Sequence, residues 1–131
     1  MSFLNVLETT LQKRQLANRA YSRRAFARDV GVSHTVLSRV MRGDRRLTPR
    51  TIRRIGGRLR LDLAVIERAC VDANADWITQ FIRRGSSLAS SRALAVQAGV
   101  PLDDVNVAIH HLIHTRRLTL ESASSWTLHT V

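Results

Sequence analysis

The stretch from Arg23 to Arg42, RRAFARDVGVSHTVLSRVMR, constrains the fold more than any other part of the chain. Counted from Arg23, Phe26 and Ala27 stand fourth and fifth, Val30 eighth, Gly31 ninth, Val32 tenth, Leu37 fifteenth and Val40 eighteenth. Those spacings predict two short helices with apolar faces turned inward and a tight turn between them. Ala27 leaves room for the second helix to cross close by. Gly31 can take a left-handed backbone that a residue with a Cβ adopts only at a cost. Ser22 and Ser33 precede the two helices, where a hydroxyl can accept a free N–H of the first turn. The pattern is that of a helix-turn-helix.

With Val36, Leu37 and Val40 assigned to the core, the outward residues of the second helix, 34–42, are His34, Thr35, Ser38, Arg39 and Arg42. In this motif the second helix enters the major groove and offers the edges of its N-terminal part to the bases. His34, Thr35, Ser38 and Arg39 are therefore the expected base-reading residues; Arg39 has the planar fork that pairs with guanine. Arg23, Ser33, Arg42, Arg45, Arg46 and Arg50 are the expected phosphate contacts. Ser33 and Arg23 lie at helix starts, and Arg45 and Arg46 lie in the loop after the second helix. The alternative is a solvated face of a core helix, which charge and motif together disfavour.

The distribution of charge agrees. The 131 residues carry a formal net charge of +11. Residues 1–60 hold 15 basic and 3 acidic residues, whereas residues 61–131 hold 6 and 7. A genome rich in arginine codons would explain the number of arginines but not their segregation. A cationic half joined to a near-neutral half implies that only the first half meets a polyanion. The single cysteine, Cys70, excludes an internal disulfide, and no stretch approaches the ~20 apolar residues of a membrane span. The absence of a charged start followed by an apolar run speaks against a signal peptide, and a cytoplasmic, nucleoid-associated setting is expected.

Along the chain, Phe3, Leu4, Leu7 and Leu11, with Val6 and Leu16 nearby, predict an amphipathic first helix. Lys13, Arg14 and Arg19 follow on, either beside phosphate or as an ordinary solvated face. Thr48-Pro49 starts another helix, with a capping hydroxyl and proline where no N–H is needed. Ile52, Ile55 and Leu59 form its core face. Gly56-Gly57 inside it should cost roughly 1 kcal/mol each relative to alanine, which a close helix contact would justify. Residues 61–73 predict a further helix capped by Asp62, with Leu63, Ile66, Cys70, Ala73 and Trp77 as an apolar seam. The DANAD run at 72–76 marks the expected boundary between domains 1–73 and 74–131, through a linker that can itself be helical.

The second half has its own pattern. Trp77, Ile78, Phe81 and Ile82 mark one helix, ended by Gly85 and a serine-rich loop; Ser91 to Ala98 marks a second. Leu102 to Thr115 marks a third, with Leu102, Val105, Ile109, Leu112 and Ile113 inward. RLTLE and WTLHT then alternate around a SASS turn, the signature of a hairpin. Three helices and a hairpin follow the order of a winged helix. Its wing turn carries no positive charge, and its third helix begins with Asp103 and Asp104, which phosphate would repel. Dimerisation or partner binding is therefore expected of residues 74–131 ahead of DNA contact. His110, His111 and His114 form an HHxxH run, but two imidazoles and a distant carboxylate make a thin metal site, so no metal is expected. Nucleophile elbows, P-loops and GxGxxG patterns are absent; neither catalysis nor a cofactor is expected.

Residues 22–61, from Ser22-Arg23-Arg24-Ala25-Phe26-Ala27 through Val32-Ser33, Leu37-Ser38, Gly43 and Leu47-Thr48-Pro49, resemble the phage-repressor and Cro-like helix-turn-helix family. The resemblance implies a five-helix DNA-binding domain, usually dimeric, that acts on pseudopalindromic operators in double-stranded DNA. The whole chain also resembles a shortened form of bacterial regulators that pair this domain with a C-terminal winged helix. Trp77-Ile78, Leu94-Ala95, Leu112 and Ser125-Trp126 echo that second part, with Ser125 where glycine is usual. The expectation is a mainly α protein, an N-terminal repressor-like domain and a small winged-helix-like domain, regulating transcription as a homodimer. The rivals are a sequence-neutral nucleic-acid-binding protein of nucleoid or phage, and an adaptor or antitoxin that holds a protein through residues 74–131.

Overall fold

The computed structural model describes residues 2–84, 90–122 and 125–128. The chain is mainly helical and divides into two compact units, Met1–Cys70 and Val71–Val131.

The first unit contains α1 (Phe3–Ala17), α2 (Arg23–Val30), α3 (His34–Met41), α4 (Pro49–Arg58) and the start of α5 (Leu63–Arg83). Each of the first four helices begins at a hydroxyl that accepts a first-turn N–H: Ser2 from Asn5, Ser22 from Ala25, Ser33 from Val36 and Thr48 from Thr51. The core is Leu7, Phe26, Val30, Leu37, Ile52 and Ile55, all fully buried. Gly31 ends α2 at φ +79°. The Val32 N–H reaches back to the Ala27 carbonyl at 3.1 Å, satisfying a carbonyl left free at the helix end.

Helix α4 runs unbroken through Gly56-Gly57. Gly56 is buried, and a Cβ there would stand 2.7 Å from Ile66 Cγ1, so the close contact with α5 requires the glycine. Gly57 faces open space. The apolar seam begins at Ile66, not at Leu63, which is 72% exposed at the first position of α5. Leu16, also 72% exposed, lies beyond Leu11, the last buried residue of α1. Val36 is half-buried, because it sits about 100° round the helix from fully buried Leu37. Asp62 precedes α5, and its carbonyl accepts the Ile66 N–H at 3.1 Å.

The second unit contains the rest of α5, α6 (Ser91–Ala98), α7 (Leu102–His114) and an antiparallel pair, β1 (Leu118–Ser122) with β2 (Ser125–Leu128). Residues 61–73 and Trp77 to Ile82 thus lie on one continuous helix. The strands pair Leu118 with Leu128, Thr119 with Thr127 and Leu120 with Trp126, and the register shifts between Leu120 and Ser122. Gly85 with its serine loop, and residues 123–124 of the SASS turn, lie outside the described residues. The core gathers Ile78, Leu94, Val105, Ala108, Leu112 and Leu118. The Trp77 indole meets Phe81 edge-on and donates to Asn74 Oδ1 at 3.0 Å, which satisfies its one N–H among buried neighbours. Ile113 does not join this core. It is 40% exposed, one residue and about 100° beyond fully buried Leu112, and Ala108 takes the inward position.

The two units share a local device. Aligning Ser22–Val32 with Ser90–Val100 pairs identical residues at Ser22/Ser90, Arg24/Arg92, Ala25/Ala93, Ala27/Ala95, Gly31/Gly99 and Val32/Val100. Ser90 caps α6 by accepting the Ala93 N–H, as Ser22 caps α2 by accepting that of Ala25. Gly99, at φ +67°, ends α6 and lets the Val100 N–H reach the Ala95 carbonyl at 3.1 Å.

Candidate nucleic-acid interface

Helix α3 is positioned by its first turn and by its buried side. At its start the Ser33 hydroxyl holds the Val36 N–H at 3.1 Å. Along its buried side Leu37 and Val40 pack inward. The 3.6-residue repeat then gathers His34, Thr35, Ser38, Arg39 and Arg42 on the opposite arc. Of these His34, Thr35, Arg39 and Arg42 are exposed. Ser38 is half-buried, with its Oγ 3.5 Å from His34 Nε2, one turn earlier. An imidazole, two hydroxyls and a guanidinium thus stand side by side, the donor and acceptor types that read base edges.

Beside this arc a cleft of about 290 Å³ opens between the starts of α3 and α4. Val32 and Val36 contribute its apolar lining, and Ser33, Thr48, Arg45, Arg50 and Arg54 its polar and cationic lining. Two helix N-termini, each with partial positive charge and unpaired N–H groups, meet three guanidinium groups there, an arrangement suited to an anion. Ser33, Arg45 and Arg50, three of the expected phosphate contacts, line this cleft together. Arg23 is exposed at the first turn of α2, and Arg46 is exposed in the loop; neither lines the cleft. Arg42 is engaged by Asp44 at 3.3 Å on the surface.

Arg54 was not among the expected contacts. It lines the cleft and donates through Nη1 to the Gly31 carbonyl at 3.4 Å, tying α4 to the turn between α2 and α3. Its spacing of four from Arg50 puts both on one face of α4, which is the only signal of it in the sequence. Arg14, by contrast, is occupied within the fold. Its Nη1 lies 3.0 Å from the Tyr21 hydroxyl and 3.4 Å from Asp29 Oδ2, and its guanidinium stands over the Tyr21 and Phe26 rings. The Tyr21 hydroxyl donates to Asp29 at 2.6 Å. Burial, and then that bond to the carboxylate, raise the Tyr21 pKa above the ordinary phenol value, against the opposing pull of Arg14.

In the second unit the outward side of α7 presents Asp103, Asn106, Val107, His110, Ile113 and His114. His111 turns aside, 3.5 Å from Asp72 on α5. Among the described residues, no group of three or more His, Cys, Asp or Glu side chains is arranged to hold a metal ion.

Residues 12–66 match the family model of a helix-turn-helix. The match runs from the second half of α1 to the first turn of α5 and so takes in the whole cleft. It supports the repressor- and Cro-like resemblance of the first half, and it marks a type of domain that binds DNA and regulates transcription. No curated protein and no solved structure matches the chain. Among the described residues no helix is long and apolar enough to cross a membrane.

Proposed function

We propose that this protein is a sequence-specific, double-stranded-DNA-binding transcriptional regulator that acts as a dimer in the cytoplasm, on the nucleoid. The observation that carries the reading is the outward arc of α3, flanked by the cationic cleft and set on a capped helix-turn-helix. Helix 34–42 enters the major groove. Arg39, Thr35, Ser38 and His34 read bases, and Arg23, Ser33, Arg42, Arg45, Arg46 and Arg50 hold phosphates and set register.

Residues 1–73 serve as the DNA-binding domain and residues 74–131 as a winged-helix-like domain for dimerisation or a protein partner. Three helical segments followed by a hairpin support the second assignment, and Asp103 and Asp104 at the start of α7 argue against DNA contact there.

Fluorescence anisotropy on duplexes from upstream of the protein's own gene, against scrambled controls across a salt series, tests this. The expected result is a preference of about tenfold or more, ~1.4 kcal/mol, that survives near-physiological salt. Equal affinity for every duplex, collapsing with salt, in a genome-wide selection of bound fragments as well, would make the protein a sequence-neutral nucleic-acid binder.

A further inference from the structure

We infer that α7 is the dimer contact, and that its outward stripe pairs antiparallel with the same stripe of a second copy. The inference rests on the proposed dimeric regulator and names the surface it would use. Asp103, Val107, His110 and His114 recur at intervals of four, three and four, the spacing of a helix-pairing seam, and all four are exposed. They lie opposite the buried side formed by Val105, Ala108, Ile109 and Leu112. Val107 is 53% exposed, a branched apolar side chain on a solvent face.

The arrangement is self-complementary. A twofold axis makes a patch meet itself, so a patch that pairs this way must match its own reverse. The stripe does so about its midpoint between Ala108 and Ile109. Reversing it sets Asp103 against His114 of the second copy, and Val107 against His110 of the second copy, each twice. A carboxylate faces an imidazole N–H at both ends, and methyl groups face rings in the middle. A parallel pairing would instead set Asp103 against Asp103, and like charges repel. Ile113, which the core does not take, flanks the same side. No arginine or lysine lies on the stripe to oppose the contact.

A helix of 13 residues is about 20 Å long. Two such helices bury less than the roughly 1,200 Å² of a stable specific complex. The contact is therefore a weak dimer, and two half-sites on one operator would reinforce it.

Sedimentation equilibrium of the full chain without DNA tests the surface, with circular dichroism as a check that each variant is folded. The parent is expected to show a reversible monomer–dimer equilibrium. His114→Asp, which sets carboxylate against carboxylate, should raise the dissociation constant about tenfold or more. Val107→Arg, at an exposed site where the added charge leaves the fold intact, should do the same. The reciprocal double variant Asp103→His with His114→Asp restores both end pairs in reversed order and should return the constant to within about threefold of the parent. A monomeric parent, single variants with unchanged association, or a double variant as weak as His114→Asp would overturn the inference. The measurement contains no DNA, so it separates from the regulator reading. A specific but monomeric protein loses this surface, and a dimer with no sequence preference keeps the surface and loses the regulator.

Discussion

The pairs α2–α3 and α6–α7 are built on the same backbone device and present opposite chemistry. In both, a serine caps an eight-residue helix, an alanine permits the crossing, and a left-handed glycine turns the chain into the next helix. The outward side of α3 then offers His34, Thr35, Ser38 and Arg39 with arginines to either side. That of α7 offers Asp103, Asn106, Val107, His110 and His114. What folds the motif is thus separate from what it can bind. The caps, the turn and the inward residues settle the first, and a handful of exposed side chains settle the second.

Phe26 and Leu94 fill equivalent inward positions, and both are completely buried. Phe26→Ala should cost about 3–5 kcal/mol and Leu94→Ala about 2–5 kcal/mol in urea unfolding. A cost below 1 kcal/mol for either would break the equivalence. On DNA the pairs should part. Arg39→Ala is expected to lose about 1–3 kcal/mol on the preferred duplex and to relax discrimination at one base, whereas His110→Ala leaves binding to a single half-site unchanged. Equal losses for Arg39→Ala on cognate and scrambled duplexes would remove its base-reading role.

The glycine turns sharpen the comparison further. Gly31→Ala and Gly99→Ala should each destabilise by about 1–2 kcal/mol, the cost of a Cβ in left-handed backbone. The two costs should be alike, since a Cβ at Gly31 would stand in ordinary contact, 3.4 Å from Arg58 Nε, and Gly99 faces open space. The smallest expected effect concerns Asp76, on the part of α5 in the second unit. Partial burial raises its carboxyl pKa above the usual value; Arg117 opposes the shift and Asp72 adds to it. The folded state therefore binds this proton more tightly than the unfolded chain does. Stability from this group is full below the ordinary carboxylate range and is lost as pH rises through the raised value. Asp76→Asn should flatten that fall in a stability–pH profile measured from mildly acid to neutral solution.

Much of the fold could be read from residues alone because its signals are local. Ser22, Ser33, Thr48-Pro49 and Gly31 act on the backbone within a few positions of themselves, and each acts where the sequence places it. Periodicity was less informative at the ends of a stripe. It put Leu63 and Ile113 inward because it reports the direction of a side chain and not how far the neighbouring helix extends. Arg54 and Arg14 were illegible for a related reason. The first gains its place in the cleft, and the second its carboxylate partner, only when helices distant in sequence meet.

The clip of Arg14 on Asp29 and Tyr21 bears on how an ion titration would read. Arg53 is likewise paired with Glu67 at 3.5 Å. A cation already facing a carboxylate displaces little from the counterion atmosphere of a nucleic acid. The slope of log affinity against log salt will therefore count fewer phosphates than the 15 basic residues of the first sixty suggest. That slope is a census of the arginines the fold has left for a partner.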